Sequence, residues 1–312
     1  MVTPYPDLRH FTVRDYGNRV GVFRILEALE DAGVTATFAV NGEIAKRYPP
    51  LIQTIRKQGH EVIAHGLSTD HIHNEGLGKE EENQLIFDTC QIFHPLDKLL
   101  VDIPDDRMEL IEGNGPYKPK RGDLGQWDHR YGGDDGHDLN MIYFKSEDGK
   151  TLWLVHAYET EIEAFPRKLG WMSPARNQSS RTLELLALND YDYCLDWEVD
   201  QVPATAKTQN GEITLIPNNY ELSDFTLLHT RRQTEESWLK QIENSIELLL
   251  EEHARFGGQM LGLTLTPYVI GQPFRIWALR ALLNKINSTD NVNAFTAGDI
   301  AKQFTDQNAN AS

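Results

Sequence analysis

Cysteine is scarce in this chain, with two residues among 312. Cys90 and Cys194 are too few for a disulfide framework, and they match no metal-binding spacing. Both lie near apolar residues, which favours buried free thiols. A small secreted scaffold held by disulfides and a cysteine-based zinc module are therefore excluded.

Long apolar runs are also missing, since no stretch approaches the roughly 20 residues that cross a bilayer. The first residues, M-V-T-P-Y-P-D, lack the basic start and apolar middle of a secretion signal. With 40% hydrophobic and 25% charged residues, the composition is that of a soluble globular protein. We therefore expect a cytoplasmic protein with one large domain or two ordinary ones.

Positive charge is in deficit, because 30 Lys and Arg against 47 Asp and Glu give a net charge of -17. An acidic surface repels the phosphates of nucleic acids and anionic lipids. We expect neither nucleic acid nor membrane as a partner, and a small molecule as substrate.

The chain does have an alternation of strand and helix patterns. A helical pattern at 18–32 precedes a β-rich run at 34–40, a helix at about 43–58 and a short strand at 62–64. This order predicts a βαβ unit and a parallel sheet. The alternation resumes after Thr160, with predicted strands at 169–172, 191–197, 213–216, 225–228, 260–265 and 291–295, and helices at 180–189, 234–256, 274–286 and 297–304.

The middle of the chain differs in character. Residues 102–138 are crowded with Gly, Pro, Asp and Arg, and two β runs at 140–145 and 151–158 then predict an antiparallel hairpin. We interpret residues 91–160 as an insertion or cap, and 1–90 with 161–312 as the main domain. The acidic run at 134–138 lacks the ligand order of an EF-hand loop, so we interpret it as a solvated turn.

The stretch E-V-I-A-H-G-L-S-T-D-H-I-H-N at 61–74 is the strongest candidate for a functional site. Its apolar run ends at His65-Gly66, which predicts a buried strand that delivers His65 to the carboxyl edge of the sheet. That edge is where α/β proteins bind ligands. A surface loop that happens to hold three histidines is the structural alternative.

Six stretches follow one another along the chain: D-Y-G-N-R-V-G-V-F-R at 15–24, A-H-G at 64–66, G-W-M-S-P at 170–174, Y-C-L-D-W at 193–197, Y-E-L-S-D at 220–224 and T-P-Y-V-I-G-Q-P-F-R at 266–275. In them the chain resembles the polysaccharide deacetylase family, and it looks closest to the metal-independent, allantoinase-like branch. The resemblance implies an α/β fold, a distorted and incompletely closed (β/α) barrel, and assembly into a homo-oligomer.

Departures from the family pattern concern the metal. Metal-dependent members place an aspartate after the first barrel strand, a histidine four residues after the one matching His65, and a late histidine used in acid catalysis. Here the chain begins at about the point where that strand has passed, and Thr69 and Thr266 occupy the two histidine positions. The resemblance therefore implies chemistry without a cofactor.

Amide hydrolysis requires an activated water, a stabilised oxyanion and a proton for the leaving nitrogen. We predict His65 as the general base, because imidazole titrates near neutrality, with Asp196 and Asp200 orienting it or acting as base themselves. Arginine side chains can anchor a carbonyl or carboxylate of a substrate, and tryptophan side chains can line a pocket. The structural alternatives are packing for a tryptophan at a strand end and a cap or turn for an aspartate beside it. The predicted substrate-binding residues are Arg19, Asn41, Ser68, Trp171, Trp197, Glu221 and Arg275.

A metal site is an alternative. His71 and His73 alternate, so both rings would point the same way in an extended segment and, with His65 or Asp70, could bind zinc or manganese. Two functions therefore stay open. One is a hydrolase of non-peptide C–N bonds in a small cyclic ureide, imide or acylated amine. The other is a catalytically silent relative that binds a ligand or partner, with the insertion as recognition surface.

Overall fold

The computed structural model describes residues 8–93, 100–101, 125–128, 140–145, 152–157 and 169–311. The chain divides into two compact units, residues 1–89 with 168–312, and residues 90–167. In chain order, the strands are β1 (Thr37–Val40), β2 (Glu61–Ala64), β3 (Leu100–Val101), β4 (Gly125–Asp128), β5 (Asn140–Lys145), β6 (Leu152–Ala157), β7 (Leu169–Trp171), β8 (Tyr191–Cys194), β9 (Ala204–Thr208) and β10 (Gly211–Leu215).

Helices make up much of the first unit. They are Leu8–Tyr16, Val22–Ala32, Gly42–Arg47, Pro49–Lys57, Lys79–Phe93 (which continues into the second unit), Thr182–Leu188, Glu235–Phe256, Pro267–Ile270, Ile276–Ser288 and Ala297–Ala311. Segments with π-helical geometry cover Gly17–Gly21 and Phe225–Thr230, and a single 3-10 turn covers Pro174–Arg176. Within the described residues, no helix combines the length and apolar character needed to cross a bilayer.

The first unit is built on a six-stranded sheet in the order β1-β2-β7-β8-β10-β9. Its first five strands are parallel, and β9 pairs antiparallel with β10 at the edge. Val40 lies opposite Ala64, and Ala64 lies opposite Trp171, so the carboxyl ends of β1, β2 and β7 meet at one edge. The sheet is open, and the predicted α/β fold class is confirmed.

The second unit contains the predicted hairpin. Strands β5 and β6 pair antiparallel from Asn140 opposite Ala157 to Lys145 opposite Leu152. With β3 and β4 they form a four-stranded sheet in the order β3-β6-β5-β4. The acidic run at 134–138 lies outside the described residues.

Local sequence explains the main helices. Val22–Ala32 buries Val22, Ile25, Leu26 and Leu29, and Gly33 ends it with a φ of 63°. The helix predicted at 43–58 is divided, because Pro49 begins a second helix and Tyr48 before it adopts a non-helical backbone. Helices Val22–Ala32, Glu235–Phe256 and Ile276–Ser288 pack into one apolar cluster around Trp238, Ile242 and Leu279.

Three predicted strands are wrong. Residues 225–228 form the beginning of the π-helical segment, and residues 291–295 are irregular. Residues 260–265 form only one isolated bridge, between Leu263 and Asn219. Short apolar runs do not distinguish a buried strand from a buried helical turn. Strand β9, with the polar sequence A-T-A-K-T, was not predicted at all.

Candidate active site

His65 lies at the carboxyl end of β2, as predicted. Its backbone N–H donates to the carbonyl of Val40, 2.9 Å away, and its Nδ1 lies 2.7 Å from the carbonyl oxygen of Met172. A carbonyl oxygen only accepts hydrogen bonds, so Nδ1 carries the ring proton and Nε2 holds the lone pair. Within the described part of the chain no hydrogen bond occupies Nε2, and the residue as a whole is half-buried.

The protonation state of His65 follows from its surroundings. Burial lowers the pKa of His65 below its usual 6.5, while the hydrogen bond to Met172 and the charge of Asp196 act in the opposite direction. The ring is therefore neutral at pH 7. A neutral imidazole with an unprotonated Nε2 is a proton acceptor.

Asp196 follows β8 and lies within electrostatic reach of His65. Its carboxylate accepts the backbone N–H of Ser173 at 2.9 and 3.1 Å, the side-chain amide of Gln178 at 2.5 Å and the thiol of Cys194 at 3.4 Å. These bonds fix the carboxylate to the segment that follows β7. Asp196 is thus placed to stabilise a protonated His65 by charge, with its oxygens already occupied.

Asp200 has a local structural role and does not contact His65. It is exposed, and its carboxylate accepts the backbone N–H of the next residue, Gln201, at 2.7 Å. Within the described residues no interaction joins it to His65. The structure therefore brings Asp196, and not Asp200, to the histidine.

The two predicted pocket tryptophans differ in exposure. Trp171 is 0% exposed, donates its indole N–H to Ser173 Oγ at 2.7 Å, and packs edge-on against His73 and Tyr191. Its side chain is core packing, so it cannot wall an opening. Trp197 is 41% exposed and donates to Gln178 Oε1 at 2.9 Å, so part of this residue is accessible to a ligand.

Asn41 and Ser68 have structural partners. Asn41 Oδ1 accepts the backbone N–H of Ile44 at 2.9 Å and caps the helix Gly42–Arg47. Ser68 is buried, and its hydroxyl lies 2.7 Å from His71 Nδ1 and accepts the backbone N–H of Asp70. Both order the loops beside His65.

The predicted charged anchors also have partners of their own. The side chain of Arg19 is 69% exposed and lies 3.5 Å from Asp15. Arg275 donates to Glu235 at 2.8 Å, and Glu221 is exposed and paired with Arg231. The pair of Glu221 with Arg231 is exposed, and such a pair contributes little to stability. None of the three predicted side chains hydrogen-bonds to His65 or Asp196 within the described residues.

The three histidines do not converge on a metal site. His71 is exposed, whereas His73 is 0% exposed and faces Glu82 and Trp171. In the part of the chain that the structure describes, no group of three His, Cys, Asp or Glu side chains could hold a metal ion. Thr69 offers an exposed hydroxyl where metal-dependent relatives place an imidazole. These residues do not fit the metal site of the metal-dependent proteins that the sequence resembles.

Sequence reasoning missed two residues of the site, Gln178 and Arg176. Gln178 bridges Asp196 and Trp197 through its amide. Arg176 connects several strand-end loops through its guanidinium. The G-W-M-S-P stretch ends just before them and is the one local signal that pointed to this segment.

Comparisons with known proteins identify structures of similar fold. Residues 12–98 match the family model for polysaccharide deacetylase. No curated protein matches the chain. The crystal structure of Puue allantoinase is similar at 17% identity and a TM-score of 0.66, over 98% of this chain and 78% of that one.

Two further structures have the same fold. A probable polysaccharide deacetylase from Pseudomonas aeruginosa PAO1 shares 19% identity at a TM-score of 0.66, over 98% of this chain and 79% of that one. A putative polysaccharide deacetylase from Mycobacterium smegmatis shares 18% identity at 0.62, over 95% and 81%. The resemblance predicted from the sequence is confirmed, and with it the incompletely closed (β/α)-barrel fold.

Proposed function

We propose that this chain, with its polysaccharide deacetylase fold, is a hydrolase of non-peptide C–N bonds in which His65 is the general base. The observation that carries the proposal is the hydrogen bond from His65 Nδ1 to the Met172 carbonyl, because it fixes the tautomer in which Nε2 is unprotonated. A lone pair held at the carboxyl edge of a parallel sheet is where this fold class places its chemistry.

The proposed reaction begins when His65 Nε2 takes a proton from water as the oxygen attacks the substrate carbonyl. The imidazolium that forms is stabilised by the negative charge of Asp196 and by the Met172 carbonyl. The same imidazolium then returns its proton to the leaving nitrogen, which completes the C–N cleavage. No step requires a metal ion or cofactor.

We propose small cyclic ureides, imides and acylated amines as the substrate class. A neutral histidine base suits amide carbonyls that are strained or electron-poor enough for direct attack by water. The allantoinase among the structures of the same fold supports the inclusion of cyclic ureides in this class.

The test is turnover of a panel containing allantoin, hydantoin, glutarimide and an N-acetylated amino sugar. We expect at least one compound to be hydrolysed in the presence of EDTA. His65→Ala should then lower kcat/KM by about 100-fold or more, the usual contribution of a general base. His253→Ala is the matched control, since His253 is exposed on the helix Glu235–Phe256. Equal activity in wild type and His65→Ala would remove His65 from the mechanism.

A second candidate function is ligand binding without turnover. It is favoured by the hydrogen bonds that occupy both oxygens of Asp196 and by the threonines at positions 69 and 266. Wild-type protein that binds a panel compound and releases no product over days would support this alternative.

A further inference from the structure

Arg176 combines a left-handed backbone conformation with a largely buried side chain. It follows β7 through Pro174 and Ala175, and both Ala175 and Arg176 have a φ of 54°, which is uncommon for residues other than glycine. Its side chain is only 12% exposed. This backbone turns the arginine away from the path of the strand, so its guanidinium meets loops that follow other strands.

The guanidinium joins three of those loops. Nη1 donates to Glu198 Oε1 at 2.9 Å and to the carbonyl of Asn218 at 2.7 Å, and Nη2 donates to Thr264 Oγ1 at 3.1 Å. The plane also lies over the ring of Tyr220, 5.4 Å from its centroid. Glu198 follows β8 and Asn218 follows β10, so these contacts converge on the carboxyl edge of the sheet, which also holds His65.

Counting donors shows that the guanidinium is not saturated. A guanidinium has five N–H donors, and the three bonds above use three of them. The remaining two, on Nε and Nη2, have no acceptor in the described part of the chain. The side chain keeps 12% of its surface exposed, so Arg176 has N–H donors left for a ligand.

Glu198 determines which ligand those donors suit. Its carboxylate neutralises the guanidinium, and it also accepts the backbone N–H of Tyr220. A neutralised arginine with spare donors attracts a second carboxylate weakly, because the new anion would face the first. It still hydrogen-bonds well to an uncharged carbonyl oxygen.

From this geometry we infer that Arg176 anchors a carbonyl oxygen of the substrate, and that its pairing with Glu198 selects neutral cyclic ureides or imides over compounds that carry a carboxylate. The inference rests on the proposed function for its substrate class. It assigns to Arg176 the anchoring role that Arg19 and Arg275 were predicted to fill.

The sharpest test removes the negative charge of Glu198 and measures whether the preference for a neutral ligand changes. Binding of hydantoin and of hydantoin-5-acetic acid is measured by calorimetry at pH 7 in the full chain carrying His65→Ala, which prevents turnover. Glu198→Gln keeps an oxygen for Arg176 and Tyr220 but removes the negative charge. We expect the affinity ratio of acid to hydantoin to rise on the order of tenfold. An unchanged ratio overturns the inference, because a purely structural Glu198 would not alter the preference.

Arg176→Lys tests the anchor itself. Lysine keeps the charge but lacks the planar set of donors, so we expect hydantoin to bind about tenfold or more weakly. Arg280→Lys is the matched control, since Arg280 forms an exposed pair with Glu27. Thermal unfolding of each variant shows whether it is still folded. If Arg176→Lys does not fold, the affinity ratio of acid to hydantoin measured in Glu198→Gln decides whether the inference holds.

The outcomes separate this inference from the proposed function. If wild-type protein binds hydantoin more tightly than Arg176→Lys does but hydrolyses no compound, the proposed hydrolase activity is contradicted. The anchoring role of Arg176 is then supported. Hydrolysis that Arg176→Lys leaves unchanged in KM would support the hydrolase and contradict the anchor. Absence of binding of both probes to wild type overturns the assignment of this ligand class.

Discussion

His73 Nδ1 lies 3.5 Å from Glu82 Oε1, and both side chains are 0% exposed. Glu82 also accepts hydrogen bonds from the hydroxyls of Ser179 at 2.6 Å and Thr182 at 2.5 Å. The carboxylate thus ties the loop that begins at His65 to the segment that begins at Met172. A buried polar cluster of this kind holds the two sides of the His65–Met172 hydrogen bond in place.

Glu82 should make the protein sensitive to acid. Burial opposes ionisation, but the nearby imidazole of His73 and the hydrogen bonds from Ser179 and Thr182 lower the pKa of Glu82 to about 2, below the 4.5 of a free glutamate. Because the folded pKa is the lower one, its stabilisation is complete above pH 4.5 and is lost as the pH falls towards 2. Glu82→Gln should lower the free energy of unfolding by about 3 kcal/mol at pH 7 and by much less at pH 2.5.

Urea unfolding at these two pH values checks this prediction. Glu81→Gln is the matched control, since Glu81 is the exposed neighbour in the same helix. An equal loss of stability in Glu82→Gln at both pH values would show that packing, and not ionisation, is responsible.

Asp224 should affect the pH dependence of the free energy of unfolding in the opposite direction to Glu82. It is 0% exposed and accepts the backbone N–H groups of Thr266 and Ile270, yet burial raises the pKa of Asp224 to about 7. The folded state therefore holds a proton that the unfolded state has released, and the contribution of Asp224 falls as the pH rises from about 4 to 7. Asp224→Asn should remove this part of the slope in the free energy of unfolding, measured by urea denaturation between pH 5 and 8. A slope identical to that of wild type would contradict the prediction.

The glycines of G-N-R-V-G at 17–21 are required for close packing. A Cβ at Gly21 would overlap the carbonyl of Pro267, and one at Gly17 would lie 2.9 Å from the backbone nitrogen of Tyr268. Gly21→Ala should therefore destabilise the protein by about 1–3 kcal/mol, measured by thermal or urea unfolding. Gly258→Ala is the control, because no atom lies within 4 Å of a Cβ there. Equal stability of the two variants would mean that the π-helical segment can move away from the turn at Pro267.

The parts of the fold that the sequence predicts correctly are those set by local pattern. Apolar periodicity and Gly33 locate the helix Val22–Ala32, and the apolar run before His65 locates β2. The β5–β6 hairpin follows from the two β runs at 140–145 and 151–158. The placement of His65 at a strand end follows from the same local signal.

The site itself depends on contacts between residues far apart in the sequence, which no local pattern encodes. Glu82 and Thr182 are 100 residues apart, and Arg176 and Thr264 are 88 apart. The turn that orients Arg176 has a left-handed backbone conformation at Ala175. Alanine does not favour this conformation, so the sequence does not predict the turn. Trp171 looked like a pocket wall because strand ends carry ligand contacts, but its indole N–H is satisfied by Ser173 inside the core.

The pH dependence of activity should report on His65 and Asp196 together. Burial lowers the pKa of His65, so the acidic limb of kcat/KM should lie at a lower pH than that of an ordinary imidazole. The negative charge of Asp196 favours the protonated ring. Asp196→Asn should therefore move the acidic limb to still lower pH, while the asparagine oxygen keeps the hydrogen bond from Ser173. Asp31→Asn, at an exposed position, should leave the profile unchanged. A limb that moves to higher pH in Asp196→Asn would mean that the titrating group is not an imidazole stabilised by this carboxylate.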